Sequence, residues 1–213
     1  MGLKICTIVN TPVPSNCYVI FQQEGKKAII IDPGSSECHD LLIFLNEKNL
    51  TPEYIFLTHE HFDHIAGVNK LKSIFDIKVL AHSICAERII DKKKNLSVFF
   101  DQNGFEVTGV DIFVDSENDV MEWYTHQFQF YYTPGHSEGS MAICINNYLF
   151  VGDTIILGEK TVTKLPGGSR ADLIKSLNKI EILNESKEMK IFPGHGATFN
   201  LDDQILKVAI DGC

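Results

Sequence analysis

The stretch that decides the fold is Thr58-His59-Glu60-His61-Phe62-Asp63-His64, which places three imidazoles and a carboxylate close together in the chain. It directly follows Tyr54 to Leu57, a short apolar run typical of a buried strand, and it precedes a helical pattern that begins at Ile65. Polar side chains are costly beside a core unless they have partners. The segment therefore predicts a metal site at the end of a strand.

The spacing inside this segment suits two neighbouring ions. Side chains two residues apart in an extended segment point the same way, so His59 and His61 can face one point. Asp63 and His64, at the turn into the helix, can face a second point nearby. Imidazole and carboxylate together favour zinc, iron, manganese or nickel over calcium or magnesium. The absence of paired cysteines argues against a closed structural zinc site.

Three further segments share one construction, in which a short apolar strand ends at a glycine-bearing turn that carries a polar residue. Strand ends are where rigid scaffolds present functional side chains, and glycine lets the backbone turn sharply there. One such segment alone is weak evidence, but together with the histidine segment they point to one shared site. The three segments are Phe130 to His136, Leu149 to Thr154 and Ile191 to Gly196.

Around the histidine segment, the first half of the chain alternates strand and helix patterns, which is typical of βαβ units. The predicted strands are Lys4 to Val9, Cys17 to Gln22, Ala28 to Asp32, Tyr54 to Leu57 and Val79 to Ala81. The predicted helices run from Ser36 or Glu37 to Asn49, from Ile65 to Phe75, and, after the strand that ends at Ala81, through Ile90.

The second half reads first as an antiparallel meander and then as helix, strand and helix. Strands are predicted at Ile112 to Val114, Val120 to Trp123, Gln127 to Tyr132, Met141 to Ile145, Tyr148 to Val151 and Lys190 to Phe192. Helices are predicted at Ser169 to Leu183, with Ser169 as the N-cap, and at Leu201 to Val208. Strands and helices in both halves fit two packed sheets with helices outside. No linker is apparent, so one domain over residues 1–213 is expected.

Taken together, these motifs resemble the metallo-β-lactamase superfamily, in its short, single-domain, glyoxalase II-like (hydroxyacylglutathione hydrolase-like) branch. The resemblance covers nearly the whole chain. It implies an α+β fold, a four-layer αβ/βα sandwich in which two mixed sheets pack face to face. The motifs that carry it are Asn16 to Tyr18, Ile31 to Gly34, Thr58 to His64, Thr133 to Ser140, Gly152 to Thr154, Leu165 to Gly168 and Pro193 to Gly196.

The resemblance also implies residue roles. In one site His59, His61 and His136 bind the first metal ion. Asp63, His64 and His195 bind the second, Asp153 bridges both, and Asp63 additionally orients the nucleophile as a catalytic residue. Asp32 is either a residue that orients a ligand or a plain turn residue before Pro-Gly. His39, His82 and His126 are interpreted as surface or packing residues.

The implied cofactors are two divalent metal ions, with zinc expected and iron or manganese as alternatives. Such ions lower the pKa of water from about 15.7 to near 7, which supplies a hydroxide at neutral pH. The expected function is hydrolysis of a thioester or related acyl ester, with an anionic small molecule as substrate. The alternatives are a mononuclear iron enzyme like the sulfur dioxygenases, a lactonase, or a non-catalytic metal-binding module.

Two features of this sequence differ from those of the hydrolases that act on glutathione thioesters. Those enzymes carry an additional C-terminal helical domain, which is not expected here because the chain ends soon after His195. Short relatives carry a Gly-Arg pair where this chain has Thr161 to Lys164, so recognition of glutathione is left open. The segment Gly158 to Ser169 is either a loop over the site, with Lys160 or Lys164 meeting an anionic substrate, or a solvated connection.

The amino-acid composition limits which classes of binding partner and which cellular location are expected. The formal net charge of -9 and the pI near 5.3 argue against a nucleic-acid partner, which requires concentrated Lys and Arg. Met1 to Asn10 lacks the apolar run of a secretory signal and no stretch is long enough to span a membrane, so a cytoplasmic protein is expected. The six cysteines are interpreted as reduced and mostly structural. The oligomeric state is left open.

Overall fold

The computed structural model describes residues 2–116 and 119–212. The chain divides into two compact units. Unit 1 consists of Met1–Ala81 and Ala86–Phe113, and unit 2 consists of His82–Cys85 and Val114–Cys213. The single domain expected over residues 1–213 stays a prediction.

Unit 1 is built on a six-stranded mixed sheet with the order β1-β2-β3-β4-β5-β6. Its strands are β1 (Leu3–Val9), β2 (Asn16–Gln22), β3 (Lys27–Ile31), β4 (Thr51–Phe56), β5 (Lys78–Ala81) and β6 (Ile112–Phe113). β1, β2 and β3 pair antiparallel, whereas β3 to β6 pair parallel. Parallel neighbours need a crossover, and the predicted βαβ pattern is confirmed by the helix between β3 and β4.

The helices of the first half are short. They are α1 (His39–Glu47), α2 (Phe62–Ile65), α3 (Val68–Ile74), α4 (Ser83–Ile89) and α5 (Ser97–Phe100), and α4 carries residues of both units. α1 buries Leu41 and Leu45, four residues apart on one face, as the helical spacing predicts. The sequence interpretation missed α5.

One continuous helix was predicted from Ile65 to Phe75, and this is wrong. The chain forms two separate helices here, α2 and α3. Gly67 lies between them, and its N–H donates to the carbonyl oxygen of Pro33 at 2.7 Å. A Cβ on Gly67 would collide with the sulfur of Cys38, so only glycine permits this close approach. Because α2 begins before the predicted start, Asp63 lies inside the first helical turn rather than ahead of it.

Unit 2 is built on a second six-stranded mixed sheet with the order β12-β11-β10-β9-β8-β7. Its strands are β7 (Val120–Trp123), β8 (His126–Tyr132), β9 (Met141–Ile145), β10 (Tyr148–Gly152), β11 (Lys190–Pro193) and β12 (Phe199–Asn200). β7 to β10 form the predicted antiparallel meander, and β10 pairs parallel with β11. The turn between β9 and β10 places Asn146 at φ 56°, a conformation that asparagine tolerates. β12 was not predicted.

Two helices complete unit 2, α6 (Arg170–Lys187) and α7 (Asp203–Asp211). Ser169 is the N-cap of α6, as predicted, because its hydroxyl accepts a hydrogen bond from the N–H of Asp172 at 3.3 Å. One hydrophobic core joins α6 and α7 to the sheet. Its largest members include Leu149, Ile155, Leu173, Leu177, Ile180, Ile191, Phe199 and Leu206. This core supports the ends of β10 and β11, from which candidate ligands extend.

Two expectations drawn from composition can be compared with the structure. Cys17 and Cys38 are buried, and burial raises the pKa of both thiols, that of Cys38 to about 12. They therefore resemble packing residues rather than nucleophiles, whereas Cys213 lies outside the described residues. Among the helices of residues 2–116 and 119–212, none combines the length and the apolar character needed to cross a bilayer.

Candidate metal centre

The histidine segment connects β4 to α2, and His61 at its end is still in an extended conformation. Directly after β4, the N–H of Leu57 donates to the carbonyl oxygen of Leu80 at 3.0 Å. His61 has φ −65° and ψ 144° and immediately precedes α2. The N–H of Phe62, the first residue of α2, donates to the carbonyl oxygen of Asn95 at 2.9 Å. These hydrogen bonds fix where the extended segment ends and the helix begins.

Asp32 braces this segment from the end of β3. Its side chain is buried and accepts from Thr58 twice, from the backbone N–H at 2.8 Å and from the hydroxyl at 2.5 Å. Nδ1 of His64 lies 3.1 Å from Oδ2 of Asp32. Since an ionised carboxylate only accepts, His64 carries a proton on Nδ1. The neutral ring then presents the lone pair of Nε2 on its other side, which matches the interpretation of Asp32 as an orienting residue.

The same hydrogen-bond chain sets the tautomer of His59. Nδ1 of His59 lies 3.1 Å from Oγ1 of Thr58, and the hydroxyl proton of Thr58 is already donated to Asp32. Oγ1 therefore accepts from Nδ1–H of His59, and Nε2 of His59 carries the lone pair. One carboxylate thus aligns two imidazoles for the same use of Nε2.

The three imidazoles of the segment lie close together in unit 1. The ring centroid of His59 is 4.7 Å from that of His61 and 4.2 Å from that of His64. All three residues are buried. Ligand atoms of Asp32, His59 and His64 lie within 4.8 Å of one another, but the Asp32 carboxylate accepts from Thr58 and from His64, so it braces the imidazoles rather than binding an ion. Histidine and carboxylate donors of this kind suit a transition metal.

Asp63 is held beside the histidines through its backbone. Its Oδ2 lies 3.6 Å from Nε2 of His64, and its side chain is 13% exposed. The carbonyl oxygen of Asp63 accepts from the hydroxyl of Ser15 at 2.5 Å. Gly34 packs so tightly against this carbonyl that any Cβ would overlap it. Two loops of unit 1 thus fix the position from which the carboxylate of Asp63 extends.

A buried ion pair inside the segment was missed by the sequence interpretation. Nε of Arg88 donates to Oε1 of Glu60 at 2.5 Å. Both side chains are buried, that of Glu60 completely. Because Glu60 lies between His59 and His61, this pair ties the histidine segment to α4. In the sequence, Arg88 is a lone arginine in an apolar helical pattern. That pattern is not specific enough to predict that Arg88 pairs with Glu60.

In unit 2, Asp153 lies between two histidines. Oδ2 of Asp153 is 3.5 Å from Nε2 of His136 and also 3.5 Å from Nε2 of His195. The side chains of Asp153 and His136 are largely buried, whereas that of His195 is 24% exposed. The three residues follow β10, β8 and β11, as the strand-and-glycine construction predicts. One carboxylate oxygen is therefore close to two imidazole nitrogens.

His136 is oriented by the backbone of the loop between β10 and α6. Its Nδ1 lies 2.9 Å from the carbonyl oxygen of Val162, which only accepts, so the proton is on Nδ1. Nε2 again carries the lone pair. Gly135 precedes it at φ 148°, and a Cβ there would collide with the backbone of Leu173. Glycine is thus required where the turn meets the start of α6.

The turns after β10 and β11 are linked to each other. Gly152 has φ 50°, a value that disfavours side chains, and its carbonyl oxygen accepts from the N–H of Gly194 at 2.7 Å. Since β10 and β11 run parallel, their carboxyl ends meet at one edge of the sheet. This places Asp153 and His195 side by side, where ligands commonly bind in parallel sheets.

The loop Gly158 to Ser169, which braces His136 through Val162, is also tied to α7. Lys160 donates through Nζ to the carbonyl oxygen of Asp211 at 3.2 Å, which directs it to the end of α7. The N–H of Thr161 donates to the carbonyl oxygen of Ala209 at 3.0 Å. Lys164 is exposed. Whether either lysine meets a substrate stays a prediction.

Four predicted ligands lie together in unit 1 and three lie together in unit 2. The unit 1 set is His59, His61, Asp63 and His64, and the unit 2 set is His136, Asp153 and His195. That both sets share one pair of ions stays a prediction. Of the remaining histidines, His82 packs its ring on Tyr132 with centroids 4.2 Å apart, which confirms its interpretation as a packing residue.

Comparison with known proteins assigns the family. The model of the metallo-β-lactamase superfamily matches residues 10–195. A probable metallo-hydrolase of Methanocaldococcus jannaschii is 33% identical over 196 residues, which cover 85% of this chain and 87% of that protein. Hydroxyacylglutathione hydrolase 1 of Vibrio vulnificus is 31% identical over 183 residues, covering 86% of this chain and 63% of that protein. The chain therefore belongs to the metallo-β-lactamase superfamily, and its relatives place it among the metallo-hydrolases.

Solved structures agree on the fold. The BLEG-1 B3 metallo-β-lactamase has a TM-score of 0.84 and 29% identity, and the match covers 92% of this chain and 94% of that one. TTHA1623, solved in a di-iron-bound form, has a TM-score of 0.77 and 27% identity with the same coverage. The two six-stranded mixed sheets with their helices match the α/β sandwich fold of this superfamily, which confirms the predicted fold class.

Proposed function

We propose that the protein is a dinuclear metallohydrolase that cleaves a thioester or a related acyl ester. In this proposal His59, His61 and His136 would hold one divalent ion, Asp63, His64 and His195 would hold the other, and Asp153 would serve both. The observation that carries the proposal is the common tautomer of the imidazoles that the hydrogen bonds define. His59, His64 and His136 all direct a proton on Nδ1 to a protein acceptor, so that Nε2 is the metal-binding nitrogen.

The donor spacings support this assignment. A tetrahedral ion with bonds of about 2.0–2.1 Å sets its ligand atoms about 3.4 Å apart. Oδ2 of Asp153 lies 3.5 Å from Nε2 of both His136 and His195, and Oδ2 of Asp63 lies 3.6 Å from Nε2 of His64. A single oxygen at ligand spacing from two histidines suits a carboxylate shared by two ions. Zinc fits these donors, with iron or manganese as alternatives.

The residues divide the hydrolytic work. When bound, two divalent ions would lower the pKa of water toward about 7, and this would supply a hydroxide nucleophile at neutral pH. The carboxylate of Asp63 accepts a hydrogen bond from the attacking water and orients it toward the acyl carbon. Asp32 and Thr58 keep His59 and His64 in the tautomer and orientation that this requires. Asp153 offsets part of the positive charge.

The thioester substrate class is supported by the relatives rather than by any bound molecule. Hydroxyacylglutathione hydrolase 1 of Vibrio vulnificus shares 31% identity with this chain. The match covers 86% of this chain but only 63% of that enzyme. We therefore propose the acyl thioester bond as the common chemistry and do not propose glutathione as the thiol. Of the two loop lysines, Lys164 is the better candidate for an anionic group.

The test combines metal analysis with turnover. We expect about two divalent ions per chain in protein purified without added metal, and hydrolysis of a simple thioester followed through release of its thiol. His59→Ala should abolish turnover and lower the metal content while the circular dichroism spectrum is retained. The matched control is His39→Ala, since His39 is an exposed residue at the start of α1.

Three results would contradict the proposal. Unchanged turnover in His59→Ala would remove the metal site from the chemistry. One iron per chain with persulfide-dependent oxygen uptake would indicate a sulfur dioxygenase-like enzyme instead. Bound metal without activity on thioesters, lactones or phosphoesters would indicate a non-catalytic metal-binding module.

A further inference from the structure

A pocket of about 160 Å³ opens in unit 1 beside Asp63. We call it the aromatic pocket, and its apolar wall is formed by Pro12, Val13, Phe62, Ala66, Phe100 and Phe105. The rings of Phe62 and Phe100 stack with centroids 4.9 Å apart and planes inclined by 24°. Because Asp63 is a proposed metal ligand, a group held in this pocket lies next to the proposed reaction site.

The aromatic pocket is preformed, because one buried residue fixes two of its walls. The carbonyl oxygen of Asn95 accepts from the N–H of Phe62 at 2.9 Å, and Nδ2 of Asn95 donates to the carbonyl oxygen of Phe105 at 2.8 Å. The hydroxyl of Ser97 accepts from the N–H of Phe105 at 2.9 Å. A pocket held in this way loses little entropy when a ligand enters.

The volume limits what the aromatic pocket can hold. An apolar cavity of about 150 Å³ accommodates benzene. The pocket of about 160 Å³ therefore fits one six-membered ring or a branched chain of similar size. It is too small for a tripeptide thiol, and we assign it to the acyl side of the substrate.

The charge of the aromatic pocket excludes a second class of occupant. Asp63 and Asp101 are among its lining residues, and the described lining residues include neither lysine nor arginine. A carboxylate on the acyl chain would meet no cation in this lining and would be repelled by Asp101. The occupant is therefore uncharged as well as apolar.

We propose that the aromatic pocket binds the uncharged, apolar acyl group of the substrate, about the size of a phenyl ring, which makes the enzyme selective for arylacyl or branched acyl thioesters. This inference rests on the proposed thioesterase function. In the reaction water adds its oxygen to the acyl carbon, the carbon–sulfur bond breaks, and the thiol leaves with a proton, giving one carboxylic acid and one thiol.

The first experiment measures kcat/KM for thioesters of a single thiol, N-acetylcysteamine, that differ only in the acyl group. We expect the phenylacetyl ester to exceed the acetyl ester by about tenfold or more, since each well-placed methylene in an apolar pocket contributes about tenfold or more. The succinyl ester, which carries a carboxylate, should be the poorest substrate.

Two neighbouring phenylalanines provide matched variants. Phe100→Ala should lower the phenylacetyl preference about tenfold, because it removes one wall of the aromatic pocket. Phe99→Ala is the control, since Phe99 is adjacent, 73% exposed and outside the lining. Phe100 is itself 55% exposed, so neither change threatens folding.

The second experiment measures binding without turnover. The probe is 4-fluorobenzyl alcohol, whose ¹⁹F NMR resonance should broaden and shift when the purified protein is added. Val13→Trp fills the aromatic pocket and should abolish both changes. An equal acyl preference in wild type and Phe100→Ala, or probe binding that survives Val13→Trp, would overturn the inference. Loss of probe binding in Val13→Trp in a protein that cleaves no thioester would support the aromatic pocket and overturn the proposed function.

Discussion

Unit 1 and unit 2 assemble their candidate ligands in opposite ways. In unit 1 four ligands come from one continuous segment, residues 59–64, at the junction of β4 and α2. In unit 2 three ligands come from three separate strand ends, those of β8, β10 and β11. Local sequence positions the first set, whereas the sheet itself must position the second.

The two units also differ in how they orient an imidazole. The carboxylate of Asp32, a side chain, orients His64 directly and His59 through Thr58. The carbonyl oxygen of Val162, a backbone group, orients His136. A single substitution can therefore remove the brace in unit 1, whereas in unit 2 only a change in backbone path can do so. This difference predicts where each unit is most sensitive.

The largest effect is expected from breaking the buried ion pair in unit 1. Arg88→Met leaves the fully buried carboxylate of Glu60 without its cation, which should lower the free energy of unfolding by about 3–5 kcal/mol. Urea denaturation measures this loss. The double variant Glu60→Met/Arg88→Met should recover most of it, because two apolar side chains replace two buried charges.

An exposed ion pair serves as the control for that experiment. Lys27 and Glu53 lie 3.2 Å apart, with side chains 44% and 33% exposed. Lys27→Met should cost at most about 1 kcal/mol, since solvent screens such pairs. If Arg88→Met costs no more than Lys27→Met, the buried pair does not hold the histidine segment in place.

Asp32→Ala should have the next largest effect and separates bracing from ligation. It leaves the N–H of Thr58 and Nδ1–H of His64 without their acceptor, which should cost about 2–4 kcal/mol of stability. Loss of a group that orients a ligand typically lowers metal affinity about 10–100-fold. Competition with a chromophoric chelator measures this change. Asp40→Ala, at an exposed position in α1, is the control and should leave the affinity unaltered.

Gly135→Ala tests the backbone brace of unit 2. The new Cβ would meet the backbone of Leu173, so the turn before His136 must shift, at a cost of about 1–3 kcal/mol. Gly158→Ala, with φ 75° and open space around it, should cost only the backbone strain of about 1 kcal/mol. We expect Gly135→Ala to lower thioester turnover as well as stability, whereas Gly158→Ala should lower stability alone. Equal turnover in both variants would show that the turn does not position His136.

The difference between the units also explains what the sequence could predict. The unit 1 ligands are recognisable because they lie within one segment with a fixed spacing. Those of unit 2 are recognisable only because each follows an apolar strand and a glycine. The strands were predicted to within one or two residues in most cases, and Val120–Trp123 and Met141–Ile145 were predicted without error.

What the sequence could not predict depends on contacts between distant segments. The break between α2 and α3 arises because Gly67 packs against the loop that contains Pro33 and Cys38, and no local pattern shows that approach. The brace on His136 is a carbonyl oxygen, which every residue has, so residue type gives no signal for Val162. Thr58 could have been recognised, because a hydroxyl directly before the first histidine is placed to link it to a carboxylate.

The smallest expected effect concerns His82, which contrasts with the braced imidazoles. Nδ1 of His82 accepts from the N–H of Ile84 at 3.2 Å, so its neutral ring has the opposite tautomer, and burial lowers its pKa although Asp115 partly opposes this. The folded state thus binds this proton less readily than the unfolded chain, whose pKa is about 6.5. The resulting stability is present above about pH 6.5 and is lost as the pH falls through the lower folded pKa.

His82→Gln should therefore make urea midpoints fall less between about pH 7 and pH 5 than they do in the wild type, with His39→Gln as the exposed control. Glutamine is chosen because its planar amide can replace the imidazole of His82 in the stack with Tyr132. A parallel fall in the wild type and His82→Gln would show that His82 does not titrate differently in the folded protein. The tautomer of His82 would then have no effect on the pH dependence of the free energy of unfolding. Only the hydrogen-bond geometry would distinguish His82 from the proposed ligands.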